Sequence, residues 1–188
     1  MQSKSNSRRV VITGAPGSGK TTILNYIKVL GYHVEPEAAR VVIQKQLQHE
    51  NPVLPWTDRV AFDRLMLPVL REAFERARPG QTIFYDRGLP DLIGWALYEG
   101  LDPSFYLTLA KQYRYEDTVY VALGDSTSYE ANVERPYTFD QAQLIHEKLV
   151  QGYRLAEYNV CPIPASKTGC QGASWLLSQL GLKSWARD

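Results

Sequence analysis

Gly14-Ala15-Pro16-Gly17-Ser18-Gly19-Lys20-Thr21 fits the pattern G-x-x-x-x-G-K-[ST] at every fixed position. In a phosphate-binding loop of this kind, glycines let the backbone curl until successive N–H groups point inward around an anion. Lys20 is then expected to reach the β- and γ-phosphates, and the Thr21 hydroxyl to ligate Mg²⁺. A helix starting at Lys20 would aim its positive dipole end at the same phosphates.

Both flanks suit that reading. Arg9-Val10-Val11-Ile12-Thr13 is short, apolar and rich in β-branched residues, as a buried parallel strand should be. Downstream, Ile23, Leu24, Ile27, Val29 and Leu30 recur near helical spacing until Gly31 stops the pattern, predicting a helix over 20–30.

The rest of the chain alternates in the same manner. Tyr32-His33-Val34 is a brief second strand, after which Glu35-Pro36-Glu37 starts a helix running to about Gln48, with Pro36 at a first helical position. Residues 50–56 connect it to an apolar stripe over 57–78 (Phe62, Leu65, Met66, Val69, Leu70, Ala73, Ala77), which Pro68 is expected to kink or split. Gln81-Thr82-Ile83-Phe84-Tyr85 delivers Asp86-Arg87-Gly88 at a strand's carboxyl end, and helices over about 89–99 and 103–112 follow. A strand at 118–123, a polar loop at 124–137, a long helix marked by Ala142, Ile145, Leu149, Tyr153 and Ala156, a proline-bearing edge strand at 159–164 and a helix near 172–180 complete the chain. Alternation of this kind, with the glycine loop, predicts a three-layer α/β/α P-loop NTPase with a mostly parallel five-stranded sheet and its site at the strands' carboxyl ends.

With 188 residues the chain suits one domain over 9–188, preceded by a flexible tail over 1–8. A net charge of +1 argues against duplex nucleic acid as a partner, so any phosphate-binding charge must be local. No apolar run approaches the roughly 18 residues that cross a membrane. The polar start lacks the apolar segment of a secretory signal, and two cysteines, Cys161 and Cys170, give no disulfide framework. A cytoplasmic protein is the expectation. His33, His49 and His146 have no partner at metal-ligand spacing.

The strand ends hold the candidate chemistry. Asp86 suits a carboxylate behind Mg²⁺, or else a helix cap or an internal ion pair with Arg87. Glu37, and less so Glu35, is placed to take a proton from an acceptor hydroxyl or hold the acceptor, the alternative being charge complementarity at a helix start. Arg40 suits an anion or a solvated helix face. Arg135, in the 124–137 loop, is the candidate lid guanidinium that neutralises the transferring phosphoryl group, the alternative being a surface ion pair with Glu134 or Asp140. Ala165-Ser166-Lys167 is placed to flank the nucleotide base, and Tyr137 and Tyr153 to stack a ring-bearing substrate or to pack.

The string Val-Val-Ile-Thr-Gly-Ala-Pro-Gly-Ser-Gly-Lys-Thr-Thr at 10–22, Glu37-Ala38-Ala39-Arg40, Asp86-Arg87-Gly88, Glu147-Lys148-Leu149 and the Tyr153 helix resemble the NadR-type AAA family of predicted ATPases. That family is described as similar to ribosylnicotinamide kinase and to the TRPL translocation defect protein. Over roughly 9–180, the resemblance implies a kinase-like core with Gly14 to Thr22 on the nucleotide (Gly14, Ala15, Pro16, Gly17, Ser18, Gly19, Lys20, Thr21 and Thr22) and Asp86 near the metal. The chain also resembles deoxynucleoside kinases, which place an acid after the second strand and an acid-arginine pair after the third, here Glu37 and Asp86-Arg87. It departs from them in showing no nucleoside-pocket signature, which leaves the acceptor open.

Two readings follow. The leading one is a small-molecule kinase using Mg·ATP, with Lys20, Asp86, Glu37 and Arg135 as its catalytic groups and a nucleoside- or riboside-like acceptor. The other is a nucleotide-regulated ATPase or GTPase switch with no acceptor; an N-K-x-D guanine motif is absent.

Overall fold

The computed structural model describes residues 7–123 and 137–184. Arg135 and nearly all of the expected lid lie outside the described residues, as do residues 1–6 of the expected tail. Arg8, assigned to that tail, instead opens the first strand.

Five strands, β1 (Arg8–Thr13), β2 (His33–Glu35), β3 (Thr82–Asp86), β4 (Thr118–Val121) and β5 (Asn159–Pro162), pair in parallel in the order β2-β3-β1-β4-β5. The expected mostly parallel sheet is therefore wholly parallel, and β5 takes the edge position its prolines suit. Seven helices lie among the described residues: α1 (Lys20–Val29), α2 (Ala38–Gln46), α3 (Arg59–Glu75), α4 (Asp91–Tyr98), α5 (Ser104–Gln112), α6 (Phe139–Leu155) and α7 (Gly169–Gln179).

Successive strand residues serve opposite faces, which is why the central runs Val10–Ile12 and Ile83–Tyr85 are apolar on both. Val10, Ile12 and Phe84 join Ile23, Ile27 and Leu176 in the core under α1 and α7. Val11, Ile83 and Tyr85 join Phe62, Leu92 and Tyr153 in the core under α2 to α6. Ile27 and Leu176 are wholly buried, and each such burial contributes about 1.5–3 kcal/mol.

Two expectations about helices are corrected. α3 is not split at Pro68: it runs unbroken from Arg59 to Glu75. Phe62, Met66, Leu70 and Ala73 bury one continuous stripe, and this packing outweighs the hydrogen bond that proline cannot donate. The second helix starts at Ala38 rather than at Glu35-Pro36-Glu37. Glu35 is the last residue of β2, and Glu37 is the N-cap residue of α2.

One packing contact sets how closely α4 and α6 approach. A Cβ on Gly94 of α4 would lie 2.5 Å from Leu149 Cα of α6, and one on Gly152 would lie 2.7 Å from Gly94 N. The two helices touch backbone to backbone at this point. α6 enters with a capping box, in which Gln141 N donates to Thr138 Oγ1 and Thr138 N donates to the Gln141 side chain.

Candidate functional site

The site begins where β1 ends. Gly14 has φ +141°, and a Cβ there would sit 2.4 Å from the Ala122 carbonyl oxygen, so the loop leaves the sheet at a point only glycine fits. Gly19, in the left-handed region at φ 79°, hands the chain to α1, whose N-terminus faces the loop.

Lys20 is buried, and its Nζ donates to Gly14 O at 3.0 Å, Ala15 O at 3.1 Å and Ser18 Oγ at 3.3 Å. Burial lowers its pKa to about 8, with Arg87 adding to the effect and Asp86 and Glu37 opposing it.

Asp86, the last residue of β3, pairs across the sheet with Ile12 and so lies beside the loop. Thr21 Oγ1 donates to Asp86 Oδ2 over a long 3.4 Å. Asp86 Oδ1 is buried with no hydrogen-bond partner among the described residues. The ion pair with Arg87 weighed for Asp86 is absent among the described residues. Burial pushes the Asp86 carboxyl above its usual range, with Lys20 opposing and Glu37 reinforcing the rise. An orphaned carboxylate oxygen beside a threonine hydroxyl is a hard-oxygen donor set, and it fits magnesium.

Arg87 turns away from Asp86 into a second cluster. Its backbone takes φ +71°, rare for a residue with a Cβ. The side chain is buried; Nε donates to Glu37 Oε1 at 2.6 Å and Nη1 to Asp91 Oδ1 at 3.2 Å. Burial works against a charged Glu37, but Arg87 and then Lys20 outweigh it and hold the carboxyl below its usual range. Asp91 also accepts from Thr13 Oγ1 and Tyr153 OH, each at 2.5 Å, and from Gly88 N at 2.9 Å. One carboxylate thereby ties the end of β1, the β3 turn, α4 and α6 together.

A cavity of about 360 Å³ is lined by residues 16–22 of the phosphate loop, by Glu37, Arg40 and Arg87, and by an apolar and aromatic wall that includes Trp56, Phe62, Met66, Trp95 and Tyr137. Asp86 is not among its lining residues.

A family model described as AAA domain matches residues 9–171. The chain belongs to the AAA domain family. Shikimate kinase from Aquifex aeolicus vf5 superposes with a TM-score of 0.56 at 15% identity, over 92% of this chain and 96% of that one. Shikimate kinase from Acinetobacter baumannii, in complex with shikimate, gives 0.57 at 16% identity, over 94% and 95%. This member of the family thus has a P-loop kinase-like fold. No curated protein matches the sequence. No helix among the described residues is long and apolar enough to cross a membrane.

Several residues singled out from sequence lie elsewhere. Glu35 is buried on β2, 2.9 Å from His33 Nε2 and 3.0 Å from Arg76 Nη2, and does not line the cavity. Tyr153 is wholly buried, donates to Asp91 and packs edge-on against Tyr158, so it takes the packing alternative. Ala165, Ser166 and Lys167 are not among the residues lining the cavity.

Sequence reasoning passed over Asp91, Trp56 and Arg59. For Asp91 a signal was available: an acid four residues after Arg87, at the first position of a helix. Trp56 and Arg59, in a connection and at a helix start, carried none.

Proposed function

We propose that this protein is a kinase that transfers the γ-phosphoryl group of Mg·ATP to a hydroxyl of a nucleoside- or riboside-like acceptor. The observation that carries this reading is one cavity whose lining combines the phosphate loop, the Glu37–Arg87 pair and a set of aromatic residues. A switch without an acceptor has no use for that aromatic wall.

In this reading residues 14–22 cradle the phosphates, and Lys20 leaves the loop carbonyls for the β- and γ-phosphates. Thr21 and Asp86 would hold Mg²⁺, which supplies charge neutralisation on the phosphates. The acceptor hydroxyl oxygen attacks the γ-phosphorus, the bond to the β,γ-bridging oxygen breaks, ADP leaves, and the hydroxyl proton passes to Glu37. Arg87 fixes the orientation of that carboxylate. A carboxylate kept weakly basic suits a transfer in which positioning and charge matter more than proton abstraction. Arg135 is assigned the lid role. The resemblance to the NadR-type family puts ribosides first among acceptors to try, and the two free thiols suit a reducing cytoplasm.

ADP formation with and without a panel of nucleosides and ribosides tests the reading. At least one should raise turnover, and Lys20→Ala should abolish the increase. Tight ATP binding with no stimulation by any of them would sink the kinase reading and favour the switch.

A further inference from the structure

Two groups lining the cavity are left unused by the transfer chemistry. Trp56 lies in the turn before α3, lines the cavity and is 39% exposed. Among the described residues its ring has no aromatic or cationic partner. Trp95 is different: Arg59 lies 4.7 Å over its ring, with Tyr137 at 5.7 Å and Tyr98 at 5.9 Å, so its surroundings are already filled. Trp56 is therefore the tryptophan with a face to offer.

Arg59, the first residue of α3, lines the same cavity, and its side chain is only 8% exposed. It is held by charge and stacking: Nη2 lies 2.8 Å from Asp63 Oδ1, Tyr106 OH donates to Asp63 Oδ2 at 2.7 Å, and the guanidinium rests on Trp95. Yet Arg59 Nε and Nη2, and Asp63 Oδ1 with them, are buried with no hydrogen-bond partner among the described residues. Unpaired buried donors are costly, and on a guanidinium that lines a cavity they favour a ligand atom that restores their hydrogen bonding as the site fills. Asp63 already balances the positive charge. What is missing is an acceptor atom, not a counter-ion, so a carbonyl or ring nitrogen suits the place better than a carboxylate.

We propose that the acceptor carries a planar heteroaromatic ring that stacks on Trp56 and turns a carbonyl or ring nitrogen toward Arg59. These two residues then select nucleoside-like alcohols over ring-less polyols and acids. The inference rests on the kinase reading for the fate of the hydroxyl, but it concerns binding, so it can be tested without turnover.

The test uses the full chain carrying Trp175→Phe and Trp185→Phe, so that fluorescence reports Trp56 and Trp95. Uridine, cytidine, adenosine and nicotinamide riboside are titrated, with ribose and shikimate as controls that lack a heteroaromatic ring. At least one nucleoside should quench saturably below about 1 mM, and the controls should not. Trp56→Ala and Arg59→Met should each weaken that nucleoside about tenfold or more. Trp56→Phe, which keeps a stacking ring, should retain most of the affinity, and ATP affinity should change less than about twofold in every variant. The ATP titration also establishes that each variant is folded. No saturable nucleoside binding by a chain that binds ATP, equal binding of ribose or shikimate, or unchanged nucleoside affinity in both Trp56→Ala and Arg59→Met would overturn the proposal. Phosphoryl transfer to a ring-less polyol alone would overturn it while sparing the kinase reading. Nucleoside binding with the expected losses but no ADP formation would do the reverse.

Discussion

Replacing Arg87 with methionine isolates the electrostatic centre of the site. The side chain is 8% exposed and donates to two carboxylates, the half-buried Glu37 at 2.6 Å and the buried Asp91 at 3.2 Å. Removing one partner of a buried pair leaves an uncompensated charge and costs about 3–5 kcal/mol. Asp91 keeps its bonds from Thr13, Tyr153 and Gly88, so the loss falls mainly on Glu37 and the lower end, about 3 kcal/mol, is expected. In a chain of 188 residues this lowers Tm by about 6–12 °C.

The loss should also depend on pH. In the wild type, Glu37 is held below its usual range by Arg87 and Lys20 against burial, so it contributes stability above the unfolded carboxyl value of about 4.3 that disappears as pH falls through the folded one. In the variant much of that contribution is gone. The stability gap is therefore widest near pH 7 and narrows below about pH 4–5. Urea unfolding at about pH 7 and about pH 3.5, with matched m-values, measures it. Adding Glu37→Gln should recover about 1–2 kcal/mol at pH 7, because the orphaned charge is gone. A loss under about 1 kcal/mol at pH 7, or a gap indifferent to pH, would refute the assignment of Arg87 as the group that holds Glu37.

Lys20, with a pKa of about 8, should make ATP affinity fall toward tenfold per pH unit above that value, because the triphosphate binds the protonated amine. Titration without magnesium from about pH 7 to about pH 9.5 checks this, and a flat profile would contradict it. The same lowered value means that the unfolded chain holds the extra proton between about pH 8 and 10.5, so the contribution of Lys20 to stability rises with pH across that window. Asp86→Asn should leave thermal stability within about 1 kcal/mol, since it replaces a carboxylate whose Oδ1 is already orphaned, yet lower magnesium-dependent turnover by about hundredfold or more. Gly94→Ala places a methyl 2.5 Å from Leu149 Cα, where neither backbone can yield, and should cost about 3 kcal/mol in denaturant unfolding by prying α4 from α6.

Much of this architecture was legible in the chain because it rests on local rules. Apolar β-branched runs, helical stripes and turn glycines are set by neighbours within a few residues, and they gave every strand and helix to within a few positions. The errors share a cause. Pro68 breaks a local rule, but a continuous buried stripe on α3 outweighs it. Glu35 obeys a local rule for helix starts, but pairing of β2 with Tyr85 on β3 extends the strand through it.

For the site, the sequence by itself determined the phosphate loop, since its glycines, lysine and threonine act through their own backbone turn and the helix that follows. It also brought Asp86 to the correct sheet edge, because strand order puts β3 beside β1. Only the tertiary structure decided what each charge faces. Arg87 could have paired with the adjacent Asp86; a left-handed backbone instead turns it toward Glu37, 50 residues away, and Asp91. Trp56 and Arg59 gain meaning only where the turn before α3 closes over α4. Charges and rings act through space at a few ångströms, and sequence spacing carries that distance only within a single turn of helix or strand.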